Sequence, residues 1–246
     1  MKISLKNTAV QIVFYFHLLP LSGQAGIFCS NNLCSETDIQ PGTVIVGDGV
    51  NGANNLEANL LAQSGVDQAE WGLKKDKDSL EKNGFIIVDK EKIPDIEEHY
   101  KEYKDELSTL GEIEDKLSFS PGKAEDREYK LIGVSLSGVV DEKGLASSLV
   151  RLYESPHGKI IISEENLASS NAIVFLDKDF LNIKIGNFPA SLVVMKSEEN
   201  DKFFTEIYWI NSTKNMAYTV EMNKNMNEDN NLEEREKLLK FLSDNF

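Results

Sequence analysis

Apolar residues change their spacing along this chain, and each change predicts a different kind of element. Over residues 9–21 they run almost unbroken behind Lys2 and Lys6. Over 56–117 they recur at helical spacing among Glu, Lys and Asp, and over 129–222 they alternate with polar residues. Past Asn231 the helical spacing returns. A period near 3.6 marks an amphipathic helix and a period of two a strand with one buried face.

The pattern predicts a short strand over 43–46, a Gly/Asn-rich loop over 47–55, and a short helix over 56–63 capped by Asn55. A second helix is expected from the Asp67 cap to Asn83, then a strand over 85–88. The longest helix is expected over 94–117, where Ile96, Tyr103, Leu110 and Leu117 are seven apart and Tyr100, Leu107 and Ile113 widen the stripe. His99 and Glu106 interrupt a second seam, so the stripe reads as a helix packed on its own domain rather than a coiled coil. Residues 118–128, with Ser120-Pro121-Gly122, read as turn and linker.

Strands are expected over 129–136, 145–153 and 159–162, a hairpin over 172–176 and 180–185, and further strands over 192–195, 203–210 and 216–222. Short turns between them imply a half-buried antiparallel sheet. The last helix starts at Asn231, with Glu234 at capping-box spacing, and carries Leu238, Leu239, Leu242 and Phe246 on one face. Such a stripe needs a partner surface, so the helix is expected to lie across the sheet. The expected fold class is α+β: an antiparallel sheet with a C-terminal helix packed across it, preceded by a helix-rich N-terminal region. The organisation read from the chain is 1–25 signal peptide, 26–120 disulfide hook and helix-rich region, and 127–246 sheet domain with closing helix.

The first segment reads as a secretory signal because Lys2 and Lys6 precede an apolar core and Gly23-Gln24-Ala25 forms a small-x-small cleavage site. Residues 9–21 are fewer than the roughly 20 that a spanning helix needs, and they include Gln11, His17 and Pro20. The chain of 246 residues has a net charge of −15. Without Lys2 and Lys6 it keeps 24 basic against 41 acidic residues, or −17. This excludes a phosphate-neutralising stripe, and with it nucleic acid, and favours a basic protein partner. Cys29 and Cys34 are the two cysteines, and in an oxidising compartment they read as one small disulfide loop.

Motifs for catalysis fail at defined positions. Asp48-Gly49-Val50-Asn51-Gly52 begins like a calcium loop, but Val50 and Gly52 occupy positions that need oxygen ligands and Asn59 the one that needs Glu. Gly133-Val134-Ser135-Leu136-Ser137-Gly138 begins like a hydrolase elbow, but Ser137 stands where glycine is required. His99 and His157 lack a neighbouring nucleophile motif, and acidic pairs such as Asp177/Asp179 and Glu164/Glu165 read as solvated surface. Neither a catalytic residue nor a metal or cofactor is expected. The strand over 203–210 is apolar on both faces, and Phe204, Tyr208 and Ile210 on one of them are the candidate anchors for a partner if that face is open rather than core.

Residues 129–246 also carry a recognisable layout. Ile185-Gly186 ends one strand before Phe188-Pro189-Ala190, later strands hold Trp209 and Tyr218, and Leu152-Tyr153-Glu154 leads into Pro156-His157-Gly158-Lys159. This layout resembles the extracytoplasmic sensor-like domains of unknown function on bacterial anti-sigma-type regulators and envelope lipoproteins, whose sheets are akin to the lipoprotein-carrier class. The resemblance implies a non-enzymatic sensing, binding or assembly module. The sequence therefore points to an exported bacterial envelope protein acting as a protein-binding or sensor-like module. Two other classes fit the same features: an immunity protein neutralising an envelope-targeted toxin, and an apolar-ligand carrier.

Overall fold

The computed structural model describes residues 28–30, 44–47, 69–90, 93–104, 106–122, 126–156, 158–170, 172 and 174–246. Its elements are β1 (Phe28–Ser30), β2 (Val44–Gly47), α1 (Ala69–Asn83), β3 (Ile86–Val88), α2 (Ile96–Lys104) and α3 (Leu110–Ile113). They continue with β4 (Lys130–Val140), β5 (Ala146–Ser155), β6 (Gly158–Asn166), β7 (Val174–Asp177), β8 (Ile183–Ile185), β9 (Phe188–Ser197), β10 (Phe203–Asn211), β11 (Met216–Met222) and α4 (Leu232–Asn245). The fold is α+β, as the sequence pattern implies. The expected helix over 56–63 and most of the stretch that holds the cysteines lie outside the described residues.

Eight strands form one sheet in the order β3-β9-β10-β11-β6-β5-β4, with β8 beside β9. Two meanders, β4-β5-β6 and β9-β10-β11, join through the antiparallel pair β6–β11. Only β3 runs parallel to its neighbour in this sheet. That strand comes from the N-terminal half, so residues on both sides of the 120/127 boundary build a single sheet. The strands β1, β2 and β7 form a second, parallel sheet.

Register assigns the faces. Ile207 lies opposite Leu192 and Val220, and Trp209 opposite Tyr218. This face meets Leu238, Phe241, Leu242 and Phe246 in the largest apolar cluster. Trp209 stacks on Tyr218 at 4.8 Å between ring centres, and Phe241 stacks on Tyr129 at 4.4 Å. The closing helix thus lies across the sheet. Phe241 is a core residue that the sequence reading omitted from its apolar face, whereas Leu239 is only partly buried.

The opposite face is covered too. Phe204, Val193, Met195, Ile161 and Leu152 pack with Ile86, Ile96, Tyr100 and Phe180. Further along it, Tyr208, Ile210 and Ala217 pack with Val44, Val174, Leu176 and Leu167. The sheet is therefore buried on both faces in its middle, not on one. Continuous burial along β5 and β10 replaces the exposed alternation that the sequence pattern suggested.

The long helix expected over 94–117 is broken into α2, α3 and a single 3₁₀ turn at Glu114–Lys116. Ser108 leaves the helical path because its N–H donates to the Val134 carbonyl at 2.8 Å and its carbonyl accepts from Val134 N–H at 3.0 Å. The chain turns again at Thr109, whose N–H and hydroxyl both donate to the Glu112 carboxylate at 2.8 Å. Ile96, Tyr100, Tyr103 and Leu107 consequently serve one cluster, and Leu110, Ile113 and Leu117 another. Gly133 permits this close approach, since a Cβ there would sit 2.9 Å from that of Leu107.

Two other expectations change. The stretches over 172–176 and 180–185 do not form a hairpin: β7 joins the small parallel sheet, and β8 pairs with β9. The capping box at Asn231 is absent because Asn231 Nδ2 donates to the Asn225 carbonyl while Glu234 pairs with Lys224.

Candidate functional site

The sequence-predicted residues fall in different places. Cys29 lies on β1, and its side chain and all of Cys34 are outside the described residues, as is His157. Phe204, Tyr208 and Ile210 are buried, Phe204 in one core cluster and the other two in another. They are packed by β2, β7 and α2, so this face is core, one of the two alternatives that the strand's pattern left open. Ser135 is buried on β4, in strand conformation on both sides. Among the described residues, no group of three or more His, Cys, Asp or Glu side chains could hold a metal ion. No helix among them is long and apolar enough to cross a membrane.

Glu164 departs furthest from its sequence reading. It is not surface: its Oε1 accepts from Arg151 Nε at 2.5 Å, with the side chains 1% and 0% exposed. Arg151 Nη2 donates to the Gly122 carbonyl at 2.5 Å, and Gly122 N–H donates to Glu164 Oε2 at 3.2 Å. The pair pins the 118–122 segment to the sheet. Its burial leaves no approach for a substrate, so it is structural.

Two features are left over once packing is accounted for. The first is the outer edge of β4, where the large sheet ends. Ser108 covers that edge at Val134, and beyond it Leu136, Val139 and Val140 are exposed by 36%, 50% and 44%. Residues two apart direct their backbone groups the same way, so Leu136 N–H and C=O point outward like those of Val134. The neighbouring Ser137-Gly138 turns at a register shift in the β4–β5 ladder, with Gly138 at φ +75°. Val139 N–H there is taken by the Ser147 hydroxyl at 2.9 Å.

The second feature is a seam of carboxylates on the face opposite α4. Glu206 on β10 stands directly across the ladder from Glu221 on β11. Glu206 is 7% exposed and Glu221 half-buried. Burial, then the charge of Glu221, pushes the Glu206 carboxyl up to about 8, and burial pushes Glu221 up to about 7. Burial raises Glu165 on β6 as well, although the Ser170 hydroxyl opposes the rise. Tyr208 is raised by burial and then by Glu165 and Glu206, and Tyr103 by burial and then by Glu221. The sequence reading put Glu206 on this face but could not pair it, because cross-strand register is not written in one strand alone.

No protein-family model matches this sequence, and neither curated proteins nor solved structures give a match.

Proposed function

We propose that this chain is an exported envelope protein that works as a non-enzymatic protein-binding module, taking an extended segment of a basic partner along the outer edge of β4. The observation that carries the reading is that edge: among the described residues no strand pairs with the outer side of β4 at Leu136, whose carbonyl takes only a 3.5 Å hydrogen bond from the Ser135 hydroxyl, and Val139 and Val140 beside it are exposed. A strand that adds to such an edge gains main-chain hydrogen bonds, while alternate side chains give specificity. Residues 135–140 carry no charge, although the chain as a whole carries −15. Exposed acids outnumber exposed lysines on both sides of the edge: Glu112, Glu114 and Asp115 against Lys116 in the segment packed on Val134, and Asp141 and Glu142 against Lys143 at the hairpin tip. A partner with basic residues around an apolar strand matches that arrangement and would be steered toward it.

The test uses the exported protein as bait in its native host, followed by kinetics on the captured partner at two salt concentrations. A basic partner whose association slows at higher salt supports the reading. Leu136→Pro removes the outward N–H at an edge position where proline is tolerated, so it should abolish binding while leaving the fold intact. Full binding by Leu136→Pro, or an acidic partner, overturns the reading. A homodimer in sedimentation that Leu136→Pro dissolves would put a second copy on the edge instead.

A further inference from the structure

We propose that Glu206 and Glu221 form a proton-operated latch beneath α2, holding the helix down while the two carboxyls are protonated and releasing it when both ionise. The geometry is independent of the β4 edge. The two residues stand directly opposite each other on neighbouring strands and on the same face of the sheet, where like charges are destabilising. They lie beside the cluster in which Ile96, Tyr100 and Tyr103 of α2 pack on Phe204, Val193 and Ile161. The start of α2 is tied to the same stretch: Ile96 N–H donates to Asn223 Oδ1 at 2.8 Å, and Asn223 Nδ2 donates to the Pro94 carbonyl at 2.9 Å. Asn223 follows Glu221 by two residues, so a shift of β11 at Glu221 is transmitted to the helix start.

The described groups that face the pair offer no compensating cation. Glu165 on β6 and Tyr208 on β10 lie on the same face, and from α2 comes Tyr103. On β9 the facing residues are Ser191, Val193 and Met195, and Phe180 comes from the turn after β7. Lys159, the cation that β6 carries on this face, is paired with Glu97 at 2.5 Å and lies 4.3 Å from the Tyr100 ring centre. Protonation is thus what keeps the two carboxyls neutral where they are buried.

The direction follows from the raised values. An unfolded Glu loses its proton near 4.5, whereas buried Glu206 holds it to about 8 and Glu221 to about 7. Between those limits the folded chain binds protons that the unfolded chain has released. Stability from the pair is therefore full at and below about pH 4.5 and drains as pH rises toward 8. Each linked proton changes the opening constant about tenfold per pH unit.

Hydrogen exchange on the full chain at pH 6 and pH 8, corrected for intrinsic rates, reads the latch directly. Peptides covering Ile96–Lys104 should lose about tenfold or more in protection between the two conditions. Glu206→Gln, a near-isosteric neutral mimic, should hold its protection at pH 8, and Glu221→Gln provides the same readout if the first variant folds poorly. Equal protection at both pH values in the wild-type chain would overturn the proposal. So would the same loss in the folded Gln variant, because it would assign the effect to the general charge of the protein.

Discussion

Arg151 on β5 and Glu164 on β6 sit diagonally across one ladder, with Arg151 Nε 2.5 Å from Glu164 Oε1 and both side chains closed to water. Each leaves the other stranded if removed. Arg151→Met or Glu164→Leu alone should therefore cost about 3–5 kcal/mol, and the double variant should recover much of that loss. Urea unfolding of the three variants checks this. Losses that simply add would mean that the two residues do not act as a pair.

Gly138 stands where β4 shifts register, at φ +75°, and a Cβ there would lie 2.4 Å from the hydroxyls of Ser147 and Ser148 and 2.9 Å from Ser148 Cβ. Gly144, at φ +82° in the hairpin loop, has nothing within 4 Å of the same point. Gly138→Ala should cost about 2–3 kcal/mol from strain and clash together, and Gly144→Ala about 1 kcal/mol from strain alone. Melting curves should rank them in that order. Equal shifts would remove steric crowding as the reason for glycine at 138.

Tyr208 and Phe204 are core residues here, so truncating either should act on stability. Tyr208→Ala and Phe204→Ala are each expected to lose about 3–5 kcal/mol. Partner affinity per folded molecule should stay unchanged. A stable Tyr208→Ala protein with weakened binding would return this face to the role of an anchor.

Export and the cysteines are tested together by intact mass. The envelope fraction should yield a species that begins at Gly26 and lacks the two hydrogens of Cys29 and Cys34 thiols. Retained Lys2 and Lys6 would refute cleavage after Ala25. Serine at both cysteine positions should lower the melting temperature by less than about 10 °C, since closing so small a loop contributes only roughly 2 kcal/mol.

Local chemistry made several elements legible in advance. The strand expected over 216–222 is β11 to the residue, and α4 begins directly after the Asn231 that marked its start. Alternation in β10 and the apolar stripe of α4 also implied a sheet with a helix across it. The break after α2 was hidden, because Ile96, Tyr103, Leu110 and Leu117 keep a seven-residue spacing across it. What ends the helix is a reciprocal pair of backbone hydrogen bonds between Ser108 and Val134, 26 positions away.

The sequence by itself therefore determined the classes of element and most of their positions, since propensity and periodicity act over a few neighbours. Tertiary structure alone decided which strands lie side by side. That choice made a surface pair of glutamates into a buried salt bridge at Glu164 and set Glu206 against Glu221. It also moved Phe204, Tyr208 and Ile210 under cover and left Leu136 at an edge. The physical reason is that burial and register depend on what the rest of the chain brings to a face, and a strand's own residues do not record it.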